Sequence, residues 1–241
     1  MIALSQSPVK YLIVNADDFG ASRSINRGIL ETHRHGILTS TSLLVYGAAS
    51  TEAAELGRDA PELSVGLHVD LGKELNESTA ESSGRLREAL GEQFSRFQEL
   101  MGRPPTHLDS HHNVHRDPRA LLQFLDAAQD YGLPLREHSM VRYFPKFYGQ
   151  WSGEIHLEQI SVENLTRMLE TEIQDGVTEL SCHPGYEDPD YPTGYSAERE
   201  IEIRTLCDPR ARQALAQRMI RLISYHDLAQ QPLTTGISAH S

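Results

Sequence analysis

The chain has 241 residues, 39% hydrophobic and 23% charged, enough to bury the core of one α/β domain of barrel size. Its 22 basic and 34 acidic side chains give a formal charge of -12, which repels phosphate backbones and anionic membrane surfaces and argues against a nucleic-acid partner. No apolar run approaches the roughly 20 residues that span a bilayer, residues 1–10 lack the basic start and apolar stretch of a signal peptide, and Cys182 and Cys207 are too few for a disulfide scaffold, so a soluble, cytoplasmic protein with reduced thiols is expected.

Residues 10–15 form a short run rich in β-formers without polar alternation, as a strand buried on both faces requires. Asp17-Asp18-Phe19-Gly20 ends it. Ile25, Ile29 and Leu30 then recur at helical spacing over 24–35, and Gly36 stops the helix. The unit repeats: 40–45 reads as a strand, 48–56 as a helix and 64–71 as a strand. Such alternation predicts a parallel sheet with helices outside it. Residues 72–83 are polar without apolar period and read as a long loop, whereas 85–101 places Leu86, Leu90, Phe94, Phe97 and Met101 on one helical face before Gly102 and Pro104-Pro105. A fourth strand is expected over 106–111, a helix over 118–131, a fifth strand over 133–137, a helix over 162–173 and a strand over 177–182 leading into His183-Pro184-Gly185. Two further helices, 197–207 and 211–217, and a short strand at 222–225 complete the pattern. The whole chain reads as a single domain with a polar, frayed tail over 230–241. Six or seven strands alternating with helices fit an open doubly wound sheet or a (β/α) barrel, and no Gly-x-Gly-x-x-Gly follows the first strand to favour a dinucleotide fold.

Four polar sets fall at the carboxyl ends of these strands: Asp17 with Asp18, His68, Asp109 with His111, and His183. In either architecture that edge gathers catalytic groups. Between Thr106 and Asp117 lie four of the twelve histidines and one aspartate, the side chains that bind a divalent metal at neutral pH. In an extended segment His107, Asp109 and His111 share a face, which places His111 better than His112. A lone aspartate at a strand-helix junction more often caps the helix, and a lone histidine in an apolar strand is more often a core residue; here the adjacent Asp17 and Asp18 diverge and can serve different tasks.

The stretches Val14-Asn15-Ala16-Asp17-Asp18-Phe19-Gly20, Gly36-Ile37-Leu38-Thr39-Ser40-Thr41-Ser42, Gly66-Leu67-His68, Pro105-Thr106-His107-Leu108-Asp109-Ser110-His111-His112-Asn113-Val114-His115 and Cys182-His183-Pro184 occur in this order along the chain. In these motifs the chain resembles the YdjC-like carbohydrate deacetylases. The resemblance implies a distorted or incomplete (β/α) barrel related to polysaccharide deacetylases, with one divalent metal held by an aspartate and two histidines. His68 and His111 match the metal histidines. Asp18 is expected as the third ligand and Asp17 as general base, with the two aspartates exchangeable. His115 is a rival ligand through its His-x-x-x-His spacing from His111, and Asp109 is expected to tune a ligand histidine. Asn113 stands where some relatives have a histidine, and the loop over 72–85 is shorter than theirs.

The implied chemistry is metal-assisted release of acetate from an acetylated amino sugar or short chitooligosaccharide, with His183 as the acid that protonates the departing amine. The resemblance points to magnesium; the ligand types suit zinc equally. Arg136 is placed to orient the base, bind a sugar hydroxyl or form a surface ion pair. Tyr46, Tyr148, Trp151 and Tyr186 are candidate stacking residues, and 144–151 a candidate lid. Competing readings are a hydrolase acting on another acetylated compound, such as a lipid-linked sugar, and a non-catalytic sugar-binding barrel. Small barrels often pair, so a homodimer is one expected assembly.

Overall fold

A computed structural model describes residues 9–76 and 83–230. Its strands are β1 (Lys10–Phe19), β2 (Ser40–Leu43), β3 (Ser64–Val69), β4 (Leu108–Ser110), β5 (Arg142–Phe144), β6 (Gln150–Trp151), β7 (Glu154–Ile155), β8 (Gly176–Cys182) and β9 (Ile220–Leu222). The helices are α1 (Arg23–His35), α2 (Ser50–Asp59), α3 (Gly72–Asn76), α4 (Ser83–Met101), α5 (Leu121–Tyr131), α6 (Val162–Thr171), α7 (Ala197–Leu206), α8 (Pro209–Gln217) and α9 (Tyr225–Gln230), with 3₁₀ turns at His111–Arg116 and Leu157–Ile160. Seven strands form one parallel sheet in the order β4-β3-β2-β1-β8-β5, with β9 against the first residues of β1; β6 and β7 form a separate hairpin.

The sheet is curled. Four strand steps separate β4 from β8, which in a flat sheet would hold them about 19 Å apart. Yet the single guanidinium of Arg136 lies 2.8 Å from Asp109 on β4 and 2.6 Å from Glu179 on β8. Curling turns one sheet face into a barrel interior, which is why β1, buried from Leu12 through Phe19, shows no polar alternation. Closure is incomplete: Leu135 pairs with Leu108 by one bridge, and among the described residues no ladder links that segment to β5.

Several elements differ from the sequence reading. β1 continues through Asp17 and Asp18 to Phe19, because its register against β2 shifts between Ala16 and Phe19 where Asp18 turns to φ 71°. The expected fifth strand over 133–137 shrinks to the Leu135 bridge, and Arg142–Phe144 takes the place beside β8. The loop over 72–83 contains α3, while 77–82 lie outside the described residues. The fourth strand stops at Ser110, since His112 and Asn113 adopt left-handed φ of 52° and 53°. The short strand expected at 222–225 ends at Leu222, and Tyr225 begins α9. The tail over 231–241 lies outside the described residues.

His107 is part of the core, not of a site. Its ring stacks on Tyr225 with centroids 3.9 Å apart, and a Cβ on Gly66 would collide with it. Burial holds the imidazole down to about 4, against the pull of Asp109. The unfolded chain takes up a proton near pH 6.5 that the folded chain refuses until about pH 4. Stability is therefore complete above pH 6.5 and falls, by at most about 1.4 kcal/mol per pH unit, as pH drops through that window. His107→Gln is expected to flatten this slope in denaturant titrations at pH 4.5, 5.5 and 6.5; an unchanged slope refutes the assignment.

Candidate active site

The polar sets expected at the strand ends meet at one end of the curled sheet. Asp17 and Asp18 face different partners across an irregular stretch of β1, where the register against β2 shifts between Ala16 and Phe19 and Asp18 is left-handed at φ 71°. Asp18 Oδ1 lies 3.1 Å from His111 Nδ1 and 3.6 Å from His68 Nε2. Asp17 turns to Arg136, which donates to both carboxylate oxygens at 2.7 and 2.8 Å. The two adjacent aspartates thus occupy distinct surroundings.

His68 is oriented from behind. Its Nδ1 lies 2.8 Å from Asp109 Oδ1, so Nε2 is the nitrogen facing Asp18. A carboxylate behind a histidine fixes the tautomer and raises the basicity of the facing nitrogen, as metal-ligating histidines require. Asp18, His68 and His111 together offer one oxygen and two nitrogens within 4.8 Å of one another. This donor set fits a divalent metal. A second group, Asp17, His68 and Asp109, is also close enough, but both of its carboxylates are already ion-paired to Arg136.

The charges follow from these contacts. Burial pushes Asp18 up, but hydrogen bonds to His111 and His68 and the charge of Arg199 hold it well below the usual carboxylate range. Asp17 is likewise held down by Arg136 against the upward push of burial. Both are ionised at neutral pH. His183 is held down to about 4 by burial, with Asp17 and Asp18 pulling the other way, so its ring is neutral there. Its Nε2 lies 3.9 Å from Asp17 Oδ2.

These groups line a cavity of about 630 Å³, walled further by Arg116, Tyr143, Tyr148, Tyr191, Tyr195 and Arg199. Its size is that of a small-molecule site. The structure thus brings Asp17, Asp18, His68, His111 and His183 together, with Asp109 behind His68. It does not bring His115 there: Nδ1 lies 2.6 Å from Ser110 Oγ and Nε2 3.2 Å from Glu137, so both ring nitrogens are engaged elsewhere. Arg136 is 2% exposed and faces carboxylates, which places it beside Asp17 and not in a surface ion pair.

Of the aromatics, Tyr148 lines the cavity and stacks on Tyr195 at 4.6 Å. Trp151 is on the β6–β7 hairpin, stacked on His156 at 3.5 Å, and Tyr186 is held by Glu31 and Arg27, so neither lines it. Tyr46 lines a neighbouring cavity of about 400 Å³ that shares His111 and Tyr191. Sequence reasoning missed Arg199, Glu202, Tyr195 and Glu179. A signal existed for Glu179, an acid in the middle of a stretch read as a strand, whereas nothing in the sequence of α7 singles out Arg199 or Glu202 among its charges.

Among the described residues no helix is long and apolar enough to cross a membrane, and Cys182 and Cys207 are both free. The model of the family described as "YdjC-like protein" matches residues 11–217. A chitooligosaccharide deacetylase from Serratia marcescens is 34% identical over 91% of this chain and 99% of its own length. A protein from Enterococcus faecalis V583, named as a candidate cellobiose-phosphate cleavage protein, superposes with a TM-score of 0.78 at 28% identity, covering 91% of this chain and 99% of that one. A family 4 carbohydrate esterase from Streptomyces lividans, solved with acetate, shares the fold at a TM-score of 0.54 and 13% identity, covering 91% and 96% of the two chains.

Proposed function

The chain belongs to the YdjC-like protein family, and from that premise we propose that it is a carbohydrate deacetylase, using one divalent metal to release acetate from the N-acetyl group of an amino sugar or short chitooligosaccharide. The observation that carries this reading is the division of labour between adjacent aspartates. Asp18 joins two histidines in a metal-type donor set, while Asp17 is held as an ionised carboxylate beside it.

When bound by Asp18, His68 and His111, the ion supplies carbonyl polarisation and acidifies water. The protein supplies the rest. Asp17 removes the proton of the attacking water, and Arg136 keeps that carboxylate charged and aimed at the cavity. His183 Nε2 is the group placed to carry the proton to the departing nitrogen. Its low affinity for protons leaves it neutral until that transfer and makes its protonated form a strong acid. The cavity tyrosines provide faces for sugar rings, Tyr148 foremost. Asp109 sets the tautomer of His68.

Two imidazoles and one carboxylate form a zinc-type donor set, whereas the family resemblance points to magnesium. A panel of N-acetylated mono- to tetrasaccharides, assayed with Mg²⁺, Zn²⁺ and a chelator, tests both the reaction and the ion. Acetate release is expected to disappear on chelation and return with one of the metals. Asp109→Asn is expected to weaken metal binding about 10- to 100-fold by calorimetry. Full activity after chelation would defeat the metal mechanism, and no acetate from any sugar would defeat the deacetylase reading.

A further inference from the structure

Helix α7 carries three charged residues inside the protein: Glu198, Arg199 and Glu202 are 1%, 5% and 0% exposed. Charged side chains are almost never buried so fully unless paired. Glu198 is taken by Gln150 Nε2 at 2.5 Å. Arg199 and Glu202, three residues apart and so neighbours on one helix face, close on a single residue of another element. The Glu202 carboxylate accepts the backbone N–H of His183, and Arg199 Nη1 donates to the His183 carbonyl at 3.3 Å. Strand β8 ends at Cys182, so these side chains satisfy the main-chain groups of the first residue beyond the ladder.

The same two side chains reach further. Arg199 Nη2 donates to Asp18 Oδ2 at 2.6 Å and Nε to the Tyr195 carbonyl at 2.9 Å. The other oxygen of Glu202 accepts the Tyr195 hydroxyl, which in turn accepts the Gly149 N–H at 2.9 Å. The His183 ring, by contrast, has no hydrogen-bond partner at Nδ1. Among the described residues its ring packs edgewise against Tyr148 and Tyr195, with centroids at 5.4 and 5.5 Å, and its Nε2 lies 3.9 Å from Asp17 Oδ2. Its aim is therefore set through its backbone.

We propose that Arg199 and Glu202 are positioning residues, a brace from α7 that fixes the imidazole of His183 relative to Asp18 so that a proton reaches the leaving nitrogen. The proposal rests on the deacetylase reading and adds to it the source of the acid's geometry. In the reaction the amide C–N bond breaks, the carbonyl carbon keeps the oxygen of water, and the proton lost by that water ends on the nitrogen. An amine cannot leave without it. A 4-nitrophenolate can.

The experiment compares an N-acetylated disaccharide with 4-nitrophenyl acetate, using metal-loaded protein. Glu202→Ala is expected to lower kcat on the amide about 100-fold, with KM and the ester rate changed by less than about threefold. Glu202→Gln, which keeps an acceptor for the His183 N–H, is expected to fold and recover most of the amide activity. Arg199→Lys keeps a charge beside Asp18 but loses the planar fork; it is expected to bind one metal per chain by calorimetry and still lose amide turnover selectively. Equal losses on both substrates in folded variants, or no loss on the amide, overturn the brace. A wild type that cleaves the ester but releases no acetate from any N-acetyl sugar overturns the deacetylase reading itself, and the brace with it.

Discussion

Asp17→Asn is expected to lower kcat for acetate release by about 10³-fold, while sugar binding and metal stoichiometry stay close to those of the native chain. The first half follows from charge. An amide group cannot take a proton from water, and the other nearby carboxylate, Asp18, faces His68, His111 and Arg199. The second half follows from geometry. The asparagine oxygen can keep the hydrogen bonds of Asn15 and Arg136 to Oδ1, and Asp109 and Glu179 still neutralise the guanidinium. Acetate release under saturating sugar measures the loss, and calorimetry with the disaccharide and the metal measures what remains. Activity within about tenfold of the native chain would move the base from Asp17 to another group, with Asp18 the first to examine by the same substitution. Because His183 stands 3.9 Å away, the double variant with His183→Ala is expected to lose little more than Asp17→Asn alone, as for two residues serving one proton transfer.

The elements that sequence made legible are those whose signal is local. Ile25, Ile29 and Leu30 marked α1 because a helix buries every third or fourth residue, and Leu86 through Met101 marked α4 for the same reason. The strand-end position of Asp17, Asp18, His68 and His183 was readable because parallel strands announce their ends by where apolar runs stop. What could not be read was three-dimensional closure. Nothing local says that Leu135 makes one bridge while Arg142–Phe144 makes a strand, since that depends on where the curled sheet fails to close. His115 illustrates the same limit within the histidine cluster. Its spacing from His111 suits a helix, but left-handed turns at His112 and Asn113 rotate it toward Ser110 and Glu137. Arg199 and Glu202 were hidden for another reason: on a helix with charges all round, sequence does not distinguish the buried ones from those in water.

Arg136 is where fold and site are most closely coupled, and Arg136→Met is expected to cost about 3–5 kcal/mol of stability, the usual consequence of leaving a buried charge without its partner. The guanidinium contacts Asp17, Asp109 and Glu179 at 2.6 to 2.8 Å, all at 5% exposure or less. In the native protein burial raises Glu179, while for Asp17 and Asp109 the arginine overcomes burial and lowers them. Those two depressed carboxyls contribute stability above their unfolded values, near pH 4, that is lost as pH falls through their folded values. Removing the arginine reverses the sign. Burial and mutual repulsion then act on all three without the arginine's opposing charge, with His68 still beside Asp109, so the variant gains stability as the carboxyls take up protons and loses it as pH rises. Denaturant unfolding at pH 5 and pH 8 is the measurement, and the deficit of Arg136→Met relative to the native chain is expected to be larger at pH 8. A deficit that is the same at both values would mean that the arginine acts through packing alone. Arg136→Lys separates the two further: it restores one charge but not the fork that spans Asp17 and Glu179, so it is expected to recover stability more than it recovers turnover.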